Sequence, residues 1–530
     1  MELLSRFIQR RPAVEELLRR QGHQPLREFL AAHYFHAPRA LDSALLSAVR
    51  EEVSRLHGET TASSLAEQLG RCAVAITADH VGPDTHSVLV QNKIAMLEAA
   101  SLSGLAHVLI LAGGCVPLNN RFSGFMEWEG TRFPIFPRKL QDLMACGAPG
   151  LTARDVASLP TRARSASVQR QLAALTPANQ AWVGPVRERT SGFTSAPTRF
   201  ARTLGLTSLG ESEQAALAAA YPEAQQTGAL AAERFNTLLV EPARPLLGPA
   251  RLFADQMSAL NTQVWSRWQK HPNVLFVQIE DVVSRVLTAW LGASEPHVMT
   301  HLLLHPSART RTLGALRGVR GCWDYGQPGT QLFWGRLTDG RPAPLVVEGN
   351  FLRSIPRGDR PAAVEVALTR EGLSEALAAR MLVPAPFVSL TTLMLAGLEC
   401  VGGINQALDY LPQMWSRLGV DGLTWGTPEE SERLTQLRAN LFSCGPLSFF
   451  EDDGEMLRPG SMDCLLRAPT QTRTITSRAT RELSFQDALI LSLPYLVGAS
   501  EPSPTHCQLE TLARQHGISL HHLTVTTETL

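Results

Sequence analysis

Within eight residues, Asp79, His80, Asp84 and His86 bring two carboxylates together with two imidazoles. An imidazole exchanges a proton near neutral pH, and a neighbouring carboxylate orients and tunes it. This grouping suits general acid–base work, with His80 carrying the proton and Asp79 or Asp84 orienting it. The same residue types also build ordinary turns, because Asp side chains bond nearby backbone. Asn92 and Lys93 follow, and Lys93 offers a point charge to a phosphate or carboxylate. A surface lysine would look the same. Asn119 and Asn120 can hydrogen-bond a polar substrate, as can His86, although an Asn pair closes a turn equally well. Further on, Gly402 and Gly403 precede Asn405, Gln406 and Tyr410 at the mouth of a helix. Free backbone N–H groups at such a point suit an anion.

Two other groups invite a chemical reading. His297, His301 and His305 recur at i, i+4 and i+8, a spacing that can place three imidazoles on one helix face for a metal. No carboxylate or cysteine stands beside them, and Val, Met and Leu fill the gaps, so a helix face against a pocket or solvent is the plainer reading. Cys115, beside Gly113-Gly114, has no sequence neighbour that would lower its thiol pKa.

The elements that must position these residues follow from apolar patterning. Cys72–Thr77 and His107–Ala112 are short apolar runs, each ending in a polar loop, with a helical pattern over Val88–Leu102 between them. This reads as strand–loop–helix–strand–loop, and in open α/β sheets ligands sit beyond the carboxyl ends of parallel strands. Asn273–Ile279 is a third buried-type strand, leading through Glu280-Asp281 into a helix that ends near Leu291. Leu252–His271 is an amphipathic helix, and Phe125–Phe136 alternates like a hairpin about Glu129-Gly130. The pattern over residues 1–70 is helical, with Asp42 as N-cap of a helix reaching Leu56 and an aromatic cluster at His33–His36. Residues 331–336, 344–348 and 364–368 are strands, and 371–380, 389–398, 429–441, 485–493 and 505–516 are helices. The expected fold class is therefore α/β, a Rossmann-like parallel-sheet core with a helical N-terminal segment and large helical insertions. Its divisions are 1–70 (helical), 71–150 (first half of the core), 151–270 (helical insertion), 271–425 (second half with the Gly-Gly turn) and 426–530 (mixed, largely helical).

Bulk properties exclude several classes. The 49 basic and 49 acidic residues cancel, so the chain lacks the basic excess of a nucleic-acid-binding protein. The eight cysteines are scattered without a Cys-x-x-Cys pair, which fits reduced thiols. No apolar run approaches the roughly 20 residues needed to span a bilayer. The charged start, Met1–Phe7, carries no signal-peptide core. The expectation is a cytoplasmic protein that binds a small molecule, with neither nucleic acid nor membrane as partner and with a homodimer as one arrangement the sequence allows. No phosphate-loop, dinucleotide, nucleophile-elbow or zinc-protease fingerprint occurs, so the sequence names no cofactor and no metal.

The order of pieces resembles the bacillithiol-biosynthesis cysteine-adding ligases. That family carries a strand-end loop of the type Thr-Gly-Gln-Gln-x-Gly-x-x-Thr-Gly-Pro followed by a helix lysine. Thr77, Gly82, Thr85 and Lys93 fall at similar spacing here, with Asp79 and His80 in place of the two glutamines. Where the family has an acidic second loop, this chain has Gly113–Pro117. The family's Gly-Gly-x-x-Glu turn is matched by Gly402–Gln406, with Gln for Glu and Tyr410 close to a helix tyrosine. The likeness extends loosely over residues 70–420 and lacks the family's coiled-coil arm. It implies a Rossmann-like core that joins or modifies an amino-acid-like substrate. The expected function is a biosynthetic ligase or transferase. The alternatives are a non-catalytic scaffold of a biosynthetic pathway and a metal-dependent enzyme using the histidine run.

Overall fold

The computed structural model describes residues 2–32, 40–116, 252–268, 272–355, 363–416, 426–435, 469–498 and 506–519, less positions 85, 320, 323, 325 and 339–341. It also describes short pieces at 125–128, 131–134, 144, 418, 440–441, 447, 449–451, 456–457 and 524–525. The helical insertion expected over 151–270 therefore lies largely outside the described residues, as do His33–His36, Asn119, Asn120 and the side chain of Tyr410.

Residues 2–71 form five helices: α1 (Glu2–Arg10), α2 (Pro12–Gln21), α3 (Leu26–Ala31), α4 (Ser43–His57) and α5 (Glu59–Arg71). Asp42 caps α4 as its spacing predicts, its carboxylate accepting from the Ala44 N–H at 2.7 Å. The chain then enters β1 (Val74–Ile76), α6 (Ser87–Leu102) and β2 (His107–Ala112). The segment around Glu129-Gly130 pairs as an antiparallel hairpin, β3 (Phe125–Trp128) with β4 (Thr131–Pro134). After α7 (Phe253–Trp268), β5 (Asn273–Gln278) leads directly into α8 (Ile279–Gly292).

The central sheet is mixed α/β in setting and wholly parallel in pairing. Counting the later strand β12 (Glu399–Gly402), four strands lie in the spatial order β12, β1, β2, β5. The two-residue strand β13 (Asn440–Leu441) extends β12 at the edge. Of the helix expected over 429–441, α13 (Pro428–Thr435) is described, while the last two residues join the sheet instead. Chain order runs β1, β2, β5 outward on one side and then returns to the other side of β1 as β12. The direction of winding therefore reverses between β1 and β12.

Alternation along each strand divides the core, because successive side chains in a strand face opposite ways. Val74, Ile76, Val108, Ile110, Val274 and Phe276 join one apolar cluster with α1–α3, α6 and α7. Helices α14 (Pro469–Glu482), α15 (Phe485–Gly498) and α16 (His506–His516) supply the rest of that layer. Ala75, Leu109, Leu111, Leu275 and Val277 join the other cluster, with α4, α5 and α8. Both faces of the sheet are covered, which is why these strands read as continuous apolar runs.

Between β5 and β12 lie α9 (Val298–Leu304), α10 (Pro306–Leu316), α11 (Arg370–Ala378) and α12 (Pro386–Leu395), with two small antiparallel sheets. One joins β8 (Leu345–Glu348), β9 (Phe351–Ser354) and β10 (Glu365–Ala367). The other joins β6 (Phe333–Arg336), β7 (Pro342–Ala343) and β11 (Leu382–Pro384). In the second, Leu382, Val383 and Pro384 lie opposite Gly335, Trp334 and Phe333.

Leu111 is fully buried near the carboxyl end of β2. Truncation of Leu111 to Ala should cost about 2–5 kcal/mol through lost transfer energy and the cavity left behind. The check is a lowered denaturant midpoint at unchanged slope.

Candidate functional site

The polar loops after β1, β2, β5 and β12 meet at one edge of the sheet. His80 forms a parallel bridge with Gly113 just beyond the strands. The Gly113 N–H donates to the Asp79 carbonyl at 2.9 Å, and the Val81 N–H donates to the Gly113 carbonyl at 3.0 Å. These bonds clamp the β1 loop to the end of β2.

Inside the loop sits a buried ion group. The Lys93 ammonium lies 2.5 Å from Asp79 Oδ2 and 2.9 Å from Asp84 Oδ2, and all three side chains are almost wholly buried. Trp265 Nε1 donates to Asp84 Oδ2 at 2.6 Å. Asn261 accepts from the Asp84 N–H at 3.0 Å and donates to the Gly82 carbonyl at 2.8 Å. Two residues of α7 therefore hold the loop, although they lie far away in sequence. The ammonium also stands 5.4 Å from the centre of the Phe276 ring.

The charges of this group do not cancel. One cation faces two carboxylates, so burial pushes the Asp84 carboxyl up, against the pull of Lys93. Burial alone would lower the Lys93 ammonium, but Asp79 and Asp84 reverse that and hold it above its ordinary value. Lys93 is thus placed inside the protein, with its charge engaged by two aspartates. Asp79 holds the loop through a second contact, its Oδ1 accepting from the His80 N–H at 2.8 Å.

The His80 ring is half-buried on this framework. Burial, and then the Lys93 cation, push it down to about 4, so it is a neutral imidazole at neutral pH. His86 caps α6, its Nδ1 accepting from the Val88 N–H at 3.2 Å. Asn92 is buried on α6, and its Nδ2 has no hydrogen-bond partner among the described residues. At the end of β12, Gln406 Nε2 donates to Thr77 Oγ1 at 2.6 Å, tying β12 to β1. A Cβ on Gly402 would collide with the Gln406 side chain, so glycine is what lets Gln406 reach across. Asn405 accepts from the Arg11 guanidinium at 2.7 Å, and Gly403 faces open space.

A further residue belongs to this edge. Glu280, in the first turn of α8, accepts from the Gly114 N–H at 2.7 Å and the Cys115 N–H at 2.8 Å through Oε1. Burial pushes its carboxyl up to about 7, against the backbone bonds that favour the anion. Sequence reasoning placed Glu280 only as the start of a helix. The available signal was its position directly after an apolar strand, the rule that singled out Asp79 and His80.

The histidine run does not share one helix face. α9 has only seven residues, with His297 as its N-cap and His305 as its C-cap. His297 stacks on Trp290 at 4.3 Å and its Nδ1 lies 3.2 Å from Glu430, while His301 stacks on His305 at 4.0 Å. Among the described residues no three His, Cys, Asp or Glu side chains are grouped to hold a metal.

Comparison of the chain with protein-family models, with curated proteins and with solved structures finds no match.

Two outcomes follow from this electrostatic arrangement. Lys93→Met strands two buried carboxylates and should cost about 3–5 kcal/mol. Asp84→Asn, which leaves one carboxylate for the one cation, should cost less. Chemical denaturation of both variants at pH 7 provides the comparison, and equal losses would refute the charge argument. The second concerns pH. The folded Glu280 carboxyl holds its proton up to about pH 7, whereas the unfolded one releases it near 4.5. Its contribution is present below pH 4.5 and is lost as pH rises through 7, a penalty of about 3 kcal/mol. His80 acts in the opposite sense, since the unfolded ring takes up a proton near 6.5 and the folded ring near 4. Glu280→Gln should therefore gain stability relative to wild type as pH rises from 4.5 to 7, read from paired melting curves.

Proposed function

We propose that this chain is an enzyme of the ligase or transferase type with a Rossmann-like core, acting on a small amino-acid-like substrate at the strand carboxyl ends. The observation that carries the reading is the reversal of winding between β1 and β12. Ligands of open parallel sheets bind in the crevice outside such a switch point. The residues flanking it are Thr77 and His80 after β1, and Gly402, Gly403 and Gln406 after β12. Among the strands from β1 to β13, the sheet order also matches the doubly wound arrangement.

His80 suits the role of hydrogen-bond acceptor from a substrate amine or thiol, because it stays neutral in this setting. Asp79 and Asp84 act at one remove, fixing the loop that carries His80. His86 and Lys93 support that loop, and Asn92 offers an amide with spare hydrogen-bonding capacity. Gly403 is the open backbone position beside which an anionic group of the substrate fits.

A second reading is favoured by the ion group itself. Lys93, Asp79 and Asp84 are engaged with one another, and a loop built for stability rather than turnover would look the same. On that reading the protein is a binding or scaffold component of a biosynthetic assembly. Among the described residues no helix is long and apolar enough to cross a membrane, which accords with either.

Calorimetric titration with the twenty amino acids and with adenosine nucleotides separates them. The enzyme reading expects at least one to bind, and expects His80→Ala to weaken that binding by about tenfold or more, 1.4 kcal/mol. The melting temperature of the variant should stay close to wild type, since the ring is half-buried and its backbone contacts remain. Absence of binding by every compound would leave the scaffold reading.

A further inference from the structure

Glu280 is held in an unusual way. One carboxyl oxygen, Oε1, is pinned by two peptide N–H groups of the loop after β2. The other, Oε2, is buried and has no hydrogen-bond partner among the described residues. An ionised Oε2 would be a bare anion in apolar surroundings, which is costly. A protonated Oε2 would be an O–H donor without an acceptor, which is also costly, and such atoms in native structures call for a functional explanation. The neutral form is the cheaper of the two, because Oε1 then serves as the carbonyl that accepts both N–H groups.

The placement is specific. Glu280 follows β5, and its partners Gly114 and Cys115 follow β2. Gly113, the next residue back, bonds to the His80 loop. Cys115 Sγ in turn donates to the Pro384 carbonyl at 3.3 Å, at the end of β11. We infer that Glu280 is the hydrogen-bond donor of the strand-end site, offering the O–H at Oε2 to an acceptor atom of the bound small molecule. The inference rests on the reading of the strand ends as a binding site. It adds a proton-bearing group to the neutral His80 acceptor, from the far side of the β2 loop that bonds to both.

Asp281, next on α8, raises the Glu280 carboxyl further. Asp281 is itself paired with Arg380 at 2.9 Å and faces Glu52 and Arg55 of α4 and Asp255 of α7. These form a separate ion network in which Arg55 bonds Glu52 and Asp255. Among the described residues of the β2 loop, Cys115 is the titratable side chain.

The test uses the full chain and N,N′-dicyclohexylcarbodiimide, which reacts with protonated carboxyls in apolar, reachable positions. The acid proton adds to a carbodiimide nitrogen and the carboxyl oxygen to its carbon, so the adduct retains every atom of both. Peptide mass spectrometry after treatment at pH 6 to 9 should find the adduct on Glu280. Above the midpoint near neutrality, labelling should fall about tenfold per pH unit, as the protonated fraction does. The adduct should vanish from the same peptide in Glu280→Gln. Absence of labelling at pH 6 means that Oε2 is ionised or unreachable, and overturns the inference. Labelling that does not change between pH 6 and 9 overturns it as well. Neither outcome depends on calorimetric binding or on turnover, so failure here is distinct from failure of the enzyme reading.

Discussion

The contact on which the strand-end architecture depends is the buried pairing of Lys93 with Asp79 and Asp84. An ammonium taken out of water is tolerated only when opposite charge and hydrogen bonds replace its hydration. Here two carboxylates do so from the β1 loop, while the lysine comes from α6. Trp265 and Asn261 of α7 complete the arrangement. The loop that carries His80 is therefore held from three directions. Its conformation is fixed by this ion group together with the backbone bonds to Gly113 and the Asp79 side chain's bond to the His80 N–H.

That constraint sets the character of the edge. Burial raises Asp84, with the Asp79 charge adding to it, and burial together with the nearby cation keeps His80 unprotonated. A few residues away, Glu280 lies among backbone donors and apolar walls and is driven towards its neutral form. A neutral imidazole after β1 and a near-neutral carboxyl after β5, with β2 between them, have opposite hydrogen-bonding capacity at the same edge of the sheet. Environments that push titratable groups in opposite directions are characteristic of sites that handle protons.

The sheet supplies the geometry for this pair. Strands buried on both faces cannot bring polar groups to the sheet surface, so polar side chains collect beyond the strand ends. The winding reverses between the paired strands β1 and β12, and beyond their ends Gln406 reaches to Thr77. A glycine at 402 is required for that crossing, since any Cβ there meets the Gln406 side chain.

Local physics made much of this legible in the sequence. The apolar runs at 72–77, 107–112 and 273–279, the Asp42 cap and the helix over 485–493 follow from periodicity and capping, which depend on near neighbours, and the structure places strands or a helix at each. The strand-end position of Asp79, His80, Gly402 and Gly403 was readable for the same reason. Partners were not. Nothing in the spacing of residues tells that Lys93 faces inward, that Trp265 closes on Asp84 across 181 positions, or that Glu280 seats itself on the Gly114 and Cys115 amides. Nor does it tell that His297 turns to Trp290 and Glu430 instead of joining His301 and His305. Burial and pairing are properties of the assembled layers, and they decide the charge of a side chain. The sequence by itself determined which groups stand at the strand ends; only the tertiary structure decided which of them are neutral, which are paired and which remain to meet a ligand.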